Sequence, residues 1–296
     1  MASIDSFNVN GTTADIQDAI ARKRSDDAYK DAEYARQVDT DTYAGRNLAS
    51  VFAGEMGSYA SPWHWLRARV RAGNFAGIRI RDYLTLTRTN GNNVTYLVGA
   101  IDPYYNCGGG AKGHHIVMVP SAPIAVEGEW AVNGSYLPWN TTNTNQGTAD
   151  EKHPYLCSNL HKWEIEAYLP TLPQNVRDNI MVQNVLLEER YSASGALTAS
   201  TNWSWVDLGQ IWSPSEMEMY GSCVWGTPGW SVGFDCQFEI FRQTKDRING
   251  QRVIRWLRSV SGSSAAYVCY CHANGSAHFY SASYDWIRPL PCFLIG

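Results

Sequence analysis

The sequence lacks long apolar runs and has no excess of positive charge. Its 296 residues include 24 Lys and Arg against 28 Asp and Glu, so the formal net charge is −4 and only 18% of the residues are charged. No apolar run approaches the roughly 20 residues that cross a bilayer. A chain with net negative charge has no general attraction to nucleic acid. We therefore expect neither membrane insertion nor a nucleic-acid partner.

Paired cysteines and a secretory leader are also missing. The seven cysteines are odd in number and have no paired spacing, and residues 1–5 carry neither a basic segment nor an apolar one. This pattern predicts free thiols in a chain that folds in a reducing cytosol, because disulfide frameworks and leaders belong to secreted proteins.

The motifs of the common catalytic centres are absent or incomplete. The glycine-rich segment 108–113 has Gly113 where a phosphate loop needs Ser or Thr, and there is neither a Gly-x-Ser-x-Gly nor a His-Glu-x-x-His motif. His114 and His115 are adjacent, so on a strand they point to opposite faces and cannot reach one ion. We predict no cofactor and no metal site, with one of these two histidines buried and hydrogen-bonded.

Carboxylate and cysteine pairs remain as possible catalytic groups. Glu188 and Glu189 face opposite sides of a strand, and Glu216 follows a Ser-Pro-Ser sequence that is typical of the first turn of a helix. Cys269 and Cys271 share one strand face, but a thiolate nucleophile needs nearby cations or a helix N-terminus. We predict that the protein is not an enzyme, and a cysteine-dependent enzyme is the less favoured alternative.

Residues 1–46 differ from the rest of the chain. A short strand that enters a turn is predicted around residues 7–13, and Asp15 is placed to cap a helix that runs to about Asp39. The apolar positions of this helix are few, with alanines at heptad spacing, so it has too little apolar surface to pack on a globular core. We predict an arm for attachment and oligomerisation. Its candidate anchor residues are Phe7, Val9, Ile16 and Ile20.

Residues 47–296 show many short strand signals, a few helices and long loops. Helices are predicted over 48–56, from Ser61-Pro62 onward, over 158–169 and over 173–180. The predicted strands are 78–87, 94–101, 116–119, 181–191, 208–212, 234–241 and 252–257. Long loops are expected over 133–150 and 192–204. Helices embedded among short strands indicate an α+β fold.

The strongest local signal is a hairpin centred on Asn274-Gly275. A two-residue type I′ turn there would set Cys271 opposite His278 and Cys269 opposite Tyr280. The more apolar face of this hairpin would then be the inner one, and the opposite assignment would turn Tyr270 and His272 outward. The candidate receptor-binding residues are Tyr267, Asn274, His278, Tyr280, Tyr284 and Trp286.

Several motifs, in their order along the chain, carry a family resemblance. They are Asp82-Tyr83, the segment 113–120, Pro214-Ser215-Glu216, Trp256-Leu257-Arg258-Ser259 and Arg288-Pro289. Over residues 63–296 they resemble a C-terminal module of phage tail and bacterial surface proteins. That module is similar to the C-type-lectin-like fold of formylglycine-generating enzymes and of phage receptor-binding proteins of the tropism-determinant type. The Asn-Gly-Thr-Thr segment at residues 10–13 resembles the opening of phage virion proteins.

This resemblance implies a phage virion protein such as a head or tail fibre, assembled in the host cytoplasm. Residues 1–46 would bind other virion proteins and sister subunits in a homotrimer. Residues 47–296 would form a C-type-lectin-like domain that binds a host cell-surface protein or glycan. The alternative is a purely architectural head, collar, baseplate or decoration component whose C-terminal face contacts other subunits.

Overall fold

A computed structural model describes residues 6–9, 12–15, 23–28, 43–107, 112–194, 197, 199–200, 202–227, 236–248 and 251–296. The chain divides into two compact units, residues 1–44 and residues 45–296. No helix among the described residues is long and apolar enough to span a bilayer.

A short hairpin is the main described element of the first unit. Strands β1 (Ser6–Val9) and β2 (Thr12–Asp15) pair antiparallel, which confirms the strand predicted around residue 7 and places Phe7 and Val9 on it. Asp15 is the last residue of β2, and the residues that follow it, where the predicted helix would begin, lie outside the described residues. Residues 23–28 (α1) are helical and fall within the predicted helix. Ile16 and Ile20 lie outside the described residues.

The second unit opens with three helices, α2 (Leu48–Val51), α3 (Ala53–Met56) and α4 (Pro62–Arg71). The Ser61 side chain accepts a hydrogen bond from the His64 backbone N–H at 3.4 Å, so α4 begins where its cap and proline predict. Trp63, Leu66 and Val70 form the buried face of α4. Both predicted helical segments in this region are confirmed.

A five-stranded antiparallel sheet forms the centre of this unit. Its order is β3 (Tyr83–Thr87), β4 (Asn93–Ile101), β5 (Ile116–Pro120), β12 (Phe293–Ile295) and β6 (Ile180–Met181). The residues of β5 and β12 are buried on both faces, so neither strand alternates between apolar and polar residues. The sequence predicted β3, β4 and β5, with β3 beginning five residues later than expected, and it did not predict β12.

Helical turns connect β5 to β6. A 3₁₀ turn, Gly128–Trp130, comes first. Helix α5 (Asn159–Lys162) continues as a π-helical turn (Trp163–Tyr168) and a 3₁₀ turn (Leu169–Thr171), and α6 (Gln174–Arg177) follows. Ser158 caps α5 by accepting the His161 N–H at 3.0 Å. Both helices that the sequence predicted here are present.

The elements between β6 and β9 are a two-stranded hairpin and several short helices. Strands β7 (Asn184–Glu189) and β8 (Asn202–Asp207) form a hairpin, and β8 replaces part of the loop predicted over 192–204. Helix α7 (Glu216–Tyr220), a 3₁₀ turn (Glu239–Phe241) and α8 (Thr244–Ile248) follow. The predicted strand over 208–212 is only a single bridge, between Trp212 and Cys292. Within 234–241, the described residues 236–241 form no strand.

The second sheet has three antiparallel strands in the order β11 (Ala277–Ser281), β10 (Tyr267–Cys271) and β9 (Arg255–Val260). The hydrophobic core includes residues of both sheets and the fully buried Trp65, Trp139, Trp212 and Trp256. Mixed helix and strand with antiparallel sheets confirms the α+β class.

Candidate recognition surface

The hairpin of β10 and β11 turns through three residues instead of the predicted two. His272 N–H donates to Ser276 O at 2.9 Å and Gly275 N–H donates to His272 O at 2.9 Å. Gly275 has a φ of +83°, whereas Asn274 is not among the residues with positive φ. A type I′ turn needs positive φ at both positions, so the chain forms the alternative three-residue loop that ends in a left-handed glycine.

Local hydrogen bonds explain this choice of turn. The Asn274 Oδ1 atom accepts hydrogen bonds from the Ser276 N–H at 3.1 Å and the Ser276 hydroxyl at 2.6 Å. An asparagine that bonds the backbone two residues on favours this kind of turn. Asn274, a candidate receptor contact, is exposed, and its side chain also makes these hydrogen bonds within the turn.

The longer loop shifts the strand register by one residue. His278 lies opposite Tyr270, and Tyr280 lies opposite Val268, so the predicted pairs Cys271–His278 and Cys269–Tyr280 are wrong. A shift of one residue moves each β11 side chain to the other face relative to β10. His278 and Tyr280 therefore share a face with Tyr270, whereas Tyr267 lies on the opposite face.

One face of the hairpin carries five rings, which we call the outer aromatic face: Tyr270, His272, His278, Tyr280 and Tyr284. Tyr270 stacks on His278 with ring centroids 5.2 Å apart, and Tyr280 meets Tyr284 edge-on at 4.6 Å. His278 is exposed and Tyr280 is 48% exposed. Burial, and then the neighbouring Tyr284 and Tyr280, raise the pKa of the Tyr270 phenol, which keeps it neutral.

The opposite face carries a row of three rings, which we call the Trp225 row: Tyr267, Phe279 and Trp225. Phe279 lies between the other two, 5.6 Å from Tyr267 and 4.8 Å from Trp225. Tyr267 is 38% and Trp225 is 43% exposed. The Trp225 indole N–H donates to Ala277 O at 3.3 Å on the outer edge of β11.

The buried carboxylate of Glu216 holds the segment that presents Trp225. Its oxygens accept the backbone N–H groups of Val224 at 2.9 Å, Trp225 at 3.1 Å and Gly226 at 2.7 Å. Burial raises the pKa of Glu216 and these three N–H groups oppose that shift. Glu216 lies in the first turn of α7, as the sequence predicted, whereas its contact with residues 224–226 and the position of Trp225 were not predicted.

Trp286 extends the exposed aromatic surface beyond the hairpin. It is 48% exposed and its ring lies 5.4 Å from that of Tyr136. The Arg288 guanidinium lies over the Tyr136 ring at 5.2 Å and donates to the Ser135 hydroxyl at 2.7 Å. Five of the six candidate receptor-binding residues are exposed, namely Tyr267, Asn274, His278, Tyr280 and Trp286, and Tyr284 is half-buried.

A buried ion pair connects helix α7 to strand β9. Arg258 of β9 donates from Nη1 to Glu218 Oε2 at 2.5 Å and from Nη2 to Glu218 Oε1 at 2.7 Å. The Tyr104 hydroxyl also donates to Glu218, and the Ser215 N–H donates to it at 2.8 Å. Such a bidentate pair with satisfied oxygens fixes the orientation of α7 relative to β9.

The cysteines that suggested an enzyme are buried in the core. Cys269 and Cys271 are fully buried, and burial, followed by the nearby Glu216 carboxylate, raises the pKa of the Cys269 thiol well above its usual range. A nucleophilic cysteine needs the opposite shift. Burial likewise raises the pKa of Glu188, which lies on the face of β7 away from Glu189.

The adjacent histidines occupy different environments. His115 is fully buried, its Nδ1 lies 2.8 Å from Gly113 O, and its Nε2 accepts the Tyr104 N–H at 3.1 Å. Desolvation lowers the pKa of His115. His114 is partly exposed and lies 2.6 Å from the Asp102 carboxylate. The prediction of one buried, hydrogen-bonded histidine is confirmed. Within the described part of the chain, no three His, Cys, Asp or Glu side chains are grouped as metal ligands.

A family model described as a domain of unknown function, DUF6273, matches residues 127–295. This match covers more than half of the chain, and the chain belongs to that family. The matched region includes both faces of the hairpin, the segment held by Glu216 and the Arg258–Glu218 ion pair. No curated protein and no solved structure matches the chain.

Proposed function

We propose that this chain is a binding protein of a phage virion and that its outer aromatic face contacts a receptor on the host surface. The observation that carries the proposal is the exposure of Tyr280 and His278 on a rigid edge strand, beside Tyr270 and Tyr284. Aromatic side chains supply a large contact area at a low cost in conformational entropy, and they are enriched at the centres of interfaces.

The surroundings of the outer aromatic face support ligand binding rather than catalysis at this face. Most residues of β9 and β10 are buried. The exposed rings of the hairpin are therefore held in place before a ligand binds. Preorganised contact residues lose less entropy on binding. Cys269 and Cys271 are buried, and burial raises the pKa of the Cys269 thiol, which argues against the cysteine-dependent enzyme.

In this proposal residues 45–296 form a C-type-lectin-like domain. The mixed α/β architecture with separate antiparallel sheets is consistent with that fold, and the motif order along the sequence supports it. The β1–β2 hairpin, which includes Phe7 and Val9, would attach the chain to other virion proteins in a homotrimer. Sedimentation of the full chain should then give three times its mass of 33.0 kDa, whereas a stable monomer would refute the trimer.

Labelling of exposed tyrosines on intact particles tests receptor binding against the architectural alternative. Tyr280 should react with a tyrosine-directed reagent equally well in the isolated protein and in the particle. Tyr59, which is 41% exposed and lies between α3 and α4, is the matched control. Protection of Tyr280 in the particle would favour the architectural alternative, in which this face is covered by another subunit.

Substitution of the exposed rings tests the binding face directly. Tyr280→Ala and His278→Ala should weaken adsorption of the labelled protein to host cells at least tenfold, because truncation of a central aromatic contact costs about 2 kcal/mol or more. Tyr59→Ala should leave adsorption unchanged. Equal adsorption by all three variants would refute a role for the outer aromatic face.

A further inference from the structure

A hydrogen-bonded chain of three side chains lies apart from both aromatic faces. The Ser204 hydroxyl of β8 lies 2.7 Å from His153 Nε2, and His153 Nδ1 lies 2.5 Å from Glu151 Oε1. We propose that Ser204, His153 and Glu151 act as nucleophile, general base and positioning carboxylate for acyl transfer from a small ester. This order of hydroxyl, imidazole and carboxylate is the arrangement that activates serine in unrelated folds.

Backbone hydrogen bonds hold the three groups in place. Glu151 Oε1 also accepts the His153 N–H at 2.9 Å, and the Glu151 N–H donates to the Thr148 hydroxyl at 3.0 Å. Arg190 N–H donates to Lys152 O at 2.8 Å, which ties this loop to the end of β7. His153 is buried, while Ser204 is half-buried. The imidazole is therefore fixed, and the hydroxyl lies nearer the surface.

The protons can be assigned from the acceptors. Glu151 is the acceptor on one side, so Nδ1 carries a proton and Nε2 of a neutral His153 is free to accept the Ser204 proton. The Ser204 hydroxyl has a second acceptor, Glu189 Oε1, at 2.8 Å. A single hydroxyl proton cannot serve both. Glu189 thus competes with His153, and only the form that donates to His153 is reactive.

The reaction follows from these positions. Ser204 Oγ attacks the ester carbonyl carbon while its proton passes to His153 Nε2. The tetrahedral intermediate then collapses, the bond to the alkoxy group breaks, and His153 donates the proton to the leaving alcohol. A water molecule then attacks the acyl-serine carbonyl carbon and passes a proton to His153. The bond from the acyl carbon to Ser204 Oγ breaks, His153 returns that proton to Oγ, and the carboxylic acid leaves.

The neighbouring side chains indicate the substrate class. Asn202 and Lys152 are exposed, and both act on Glu189. The Ser204 hydroxyl first, and then Asn202 and Lys152, hold the pKa of Glu189 below its usual range. The surface around the Ser204 hydroxyl is therefore polar. It fits a short acyl group, such as an acetyl ester on a polar alcohol, rather than a long hydrocarbon chain.

A fluorophosphonate probe tests the nucleophile on the full-length protein. Ser204 Oγ should displace fluoride and form a bond to phosphorus, which intact-mass measurement and peptide mapping detect. Ser204→Ala should abolish labelling. Ser281→Ala, which removes another half-buried serine on an edge strand, should leave it unchanged. Absence of label on Ser204 in the folded wild-type protein would overturn the proposal.

Variants of the neighbouring groups separate catalysis from folding. His153→Gln keeps a hydrogen-bonding side chain but cannot take up the proton, so labelling should slow roughly 100-fold or more. Glu189→Gln removes the competing carboxylate and should speed labelling. Glu151→Gln should slow it, and Glu151→Asp should recover part of the loss. Labelling that is unaffected by His153→Gln, or slowed equally by Glu189→Gln, would refute the assignment. Circular dichroism confirms that each variant is folded.

Discussion

Replacement of Arg258 by methionine should destabilise the fold more than any surface change. The guanidinium and the Glu218 carboxylate are both almost fully buried, with side-chain exposures of 3% and 0%. The Arg258→Met variant leaves this carboxylate in the core with only Tyr104 and Ser215 as donors. Breaking a buried pair from one side costs about 3–5 kcal/mol.

That cost is a large fraction of the total stability, since domains unfold at about 5–15 kcal/mol. For a domain of this size, each kcal/mol lowers the melting temperature by about 2–4 °C, so we expect a loss of roughly 6–20 °C. Guanidinium denaturation followed by tryptophan fluorescence measures the free energy of unfolding directly, because four of the tryptophans are fully buried in the core.

A double-mutant cycle tests the reasoning. Glu218→Gln alone leaves Arg258 without a charged partner, whereas Arg258→Met with Glu218→Gln removes both charges and keeps an oxygen for the Ser215 N–H. The double variant should therefore lose much less free energy than the two single variants together. Additive losses, within about 0.5 kcal/mol, would show that the pair is not coupled and refute the argument.

Three further predictions concern the turn, a buried acid and the thiols. Gly275→Ala should cost about 1–2 kcal/mol in thermal unfolding, because φ is +83° and the added Cβ would lie 2.8 Å from Thr244 O; an unchanged melting temperature would contradict the turn geometry. Burial raises the pKa of Glu188, so the native state holds its proton more tightly and loses stability as pH rises above about 4.5. Glu188→Gln should be more stable than wild type at pH 7 but not at pH 4, and parallel stability curves would contradict this. Iodoacetamide at pH 8 should modify the exposed Cys236 and spare Cys269 in the folded protein, as read by mass spectrometry; equal modification would mean that the core is open.

The sequence predicted the helices better than the strands, and the reason is local. Helices that begin at Ser61 and Ser158 carry their own start signals, because a cap bonds N–H groups within three residues. Strand β12 has no such signal: its three residues are buried on both faces and become a strand only between β5 and β6. Its partners lie more than 100 residues away along the chain.

The hairpin shows that a correctly recognised turn motif can still lead to a wrong assignment of side chains to the two faces of the hairpin. Asn-Gly is compatible with both a two-residue and a three-residue loop, and the choice depends on the Asn274 side chain and its φ. The sequence pattern specifies neither the hydrogen bonds of the Asn274 side chain nor its backbone φ. The exposure of Tyr267, His278 and Tyr280 was predicted, but the division of these rings between two faces was not, because it follows from the register alone.

Candidate functional residues that depend on long-range contacts could not be found from spacing. Trp225 is presented by a carboxylate nine residues earlier, which the sequence assigned only to a helix start. His153 and Ser204 are 51 residues apart, and the second belongs to a strand that the sequence treated as loop. Side chains of this kind meet only when the β7–β8 hairpin and the preceding loop pack together.

The position of β12 has a consequence for biosynthesis. Strand β12 pairs between β5 and β6. During translation, these two strands therefore lack their common partner until Ile295 has left the ribosome. From the synthesis of β6 until that of β12, the nascent chain must therefore keep the unpaired edges of β5 and β6 from other molecules. We expect the central sheet to close slowly, since strand pairing across long sequence separations forms late, and its folding to depend on chaperones that shield those edges.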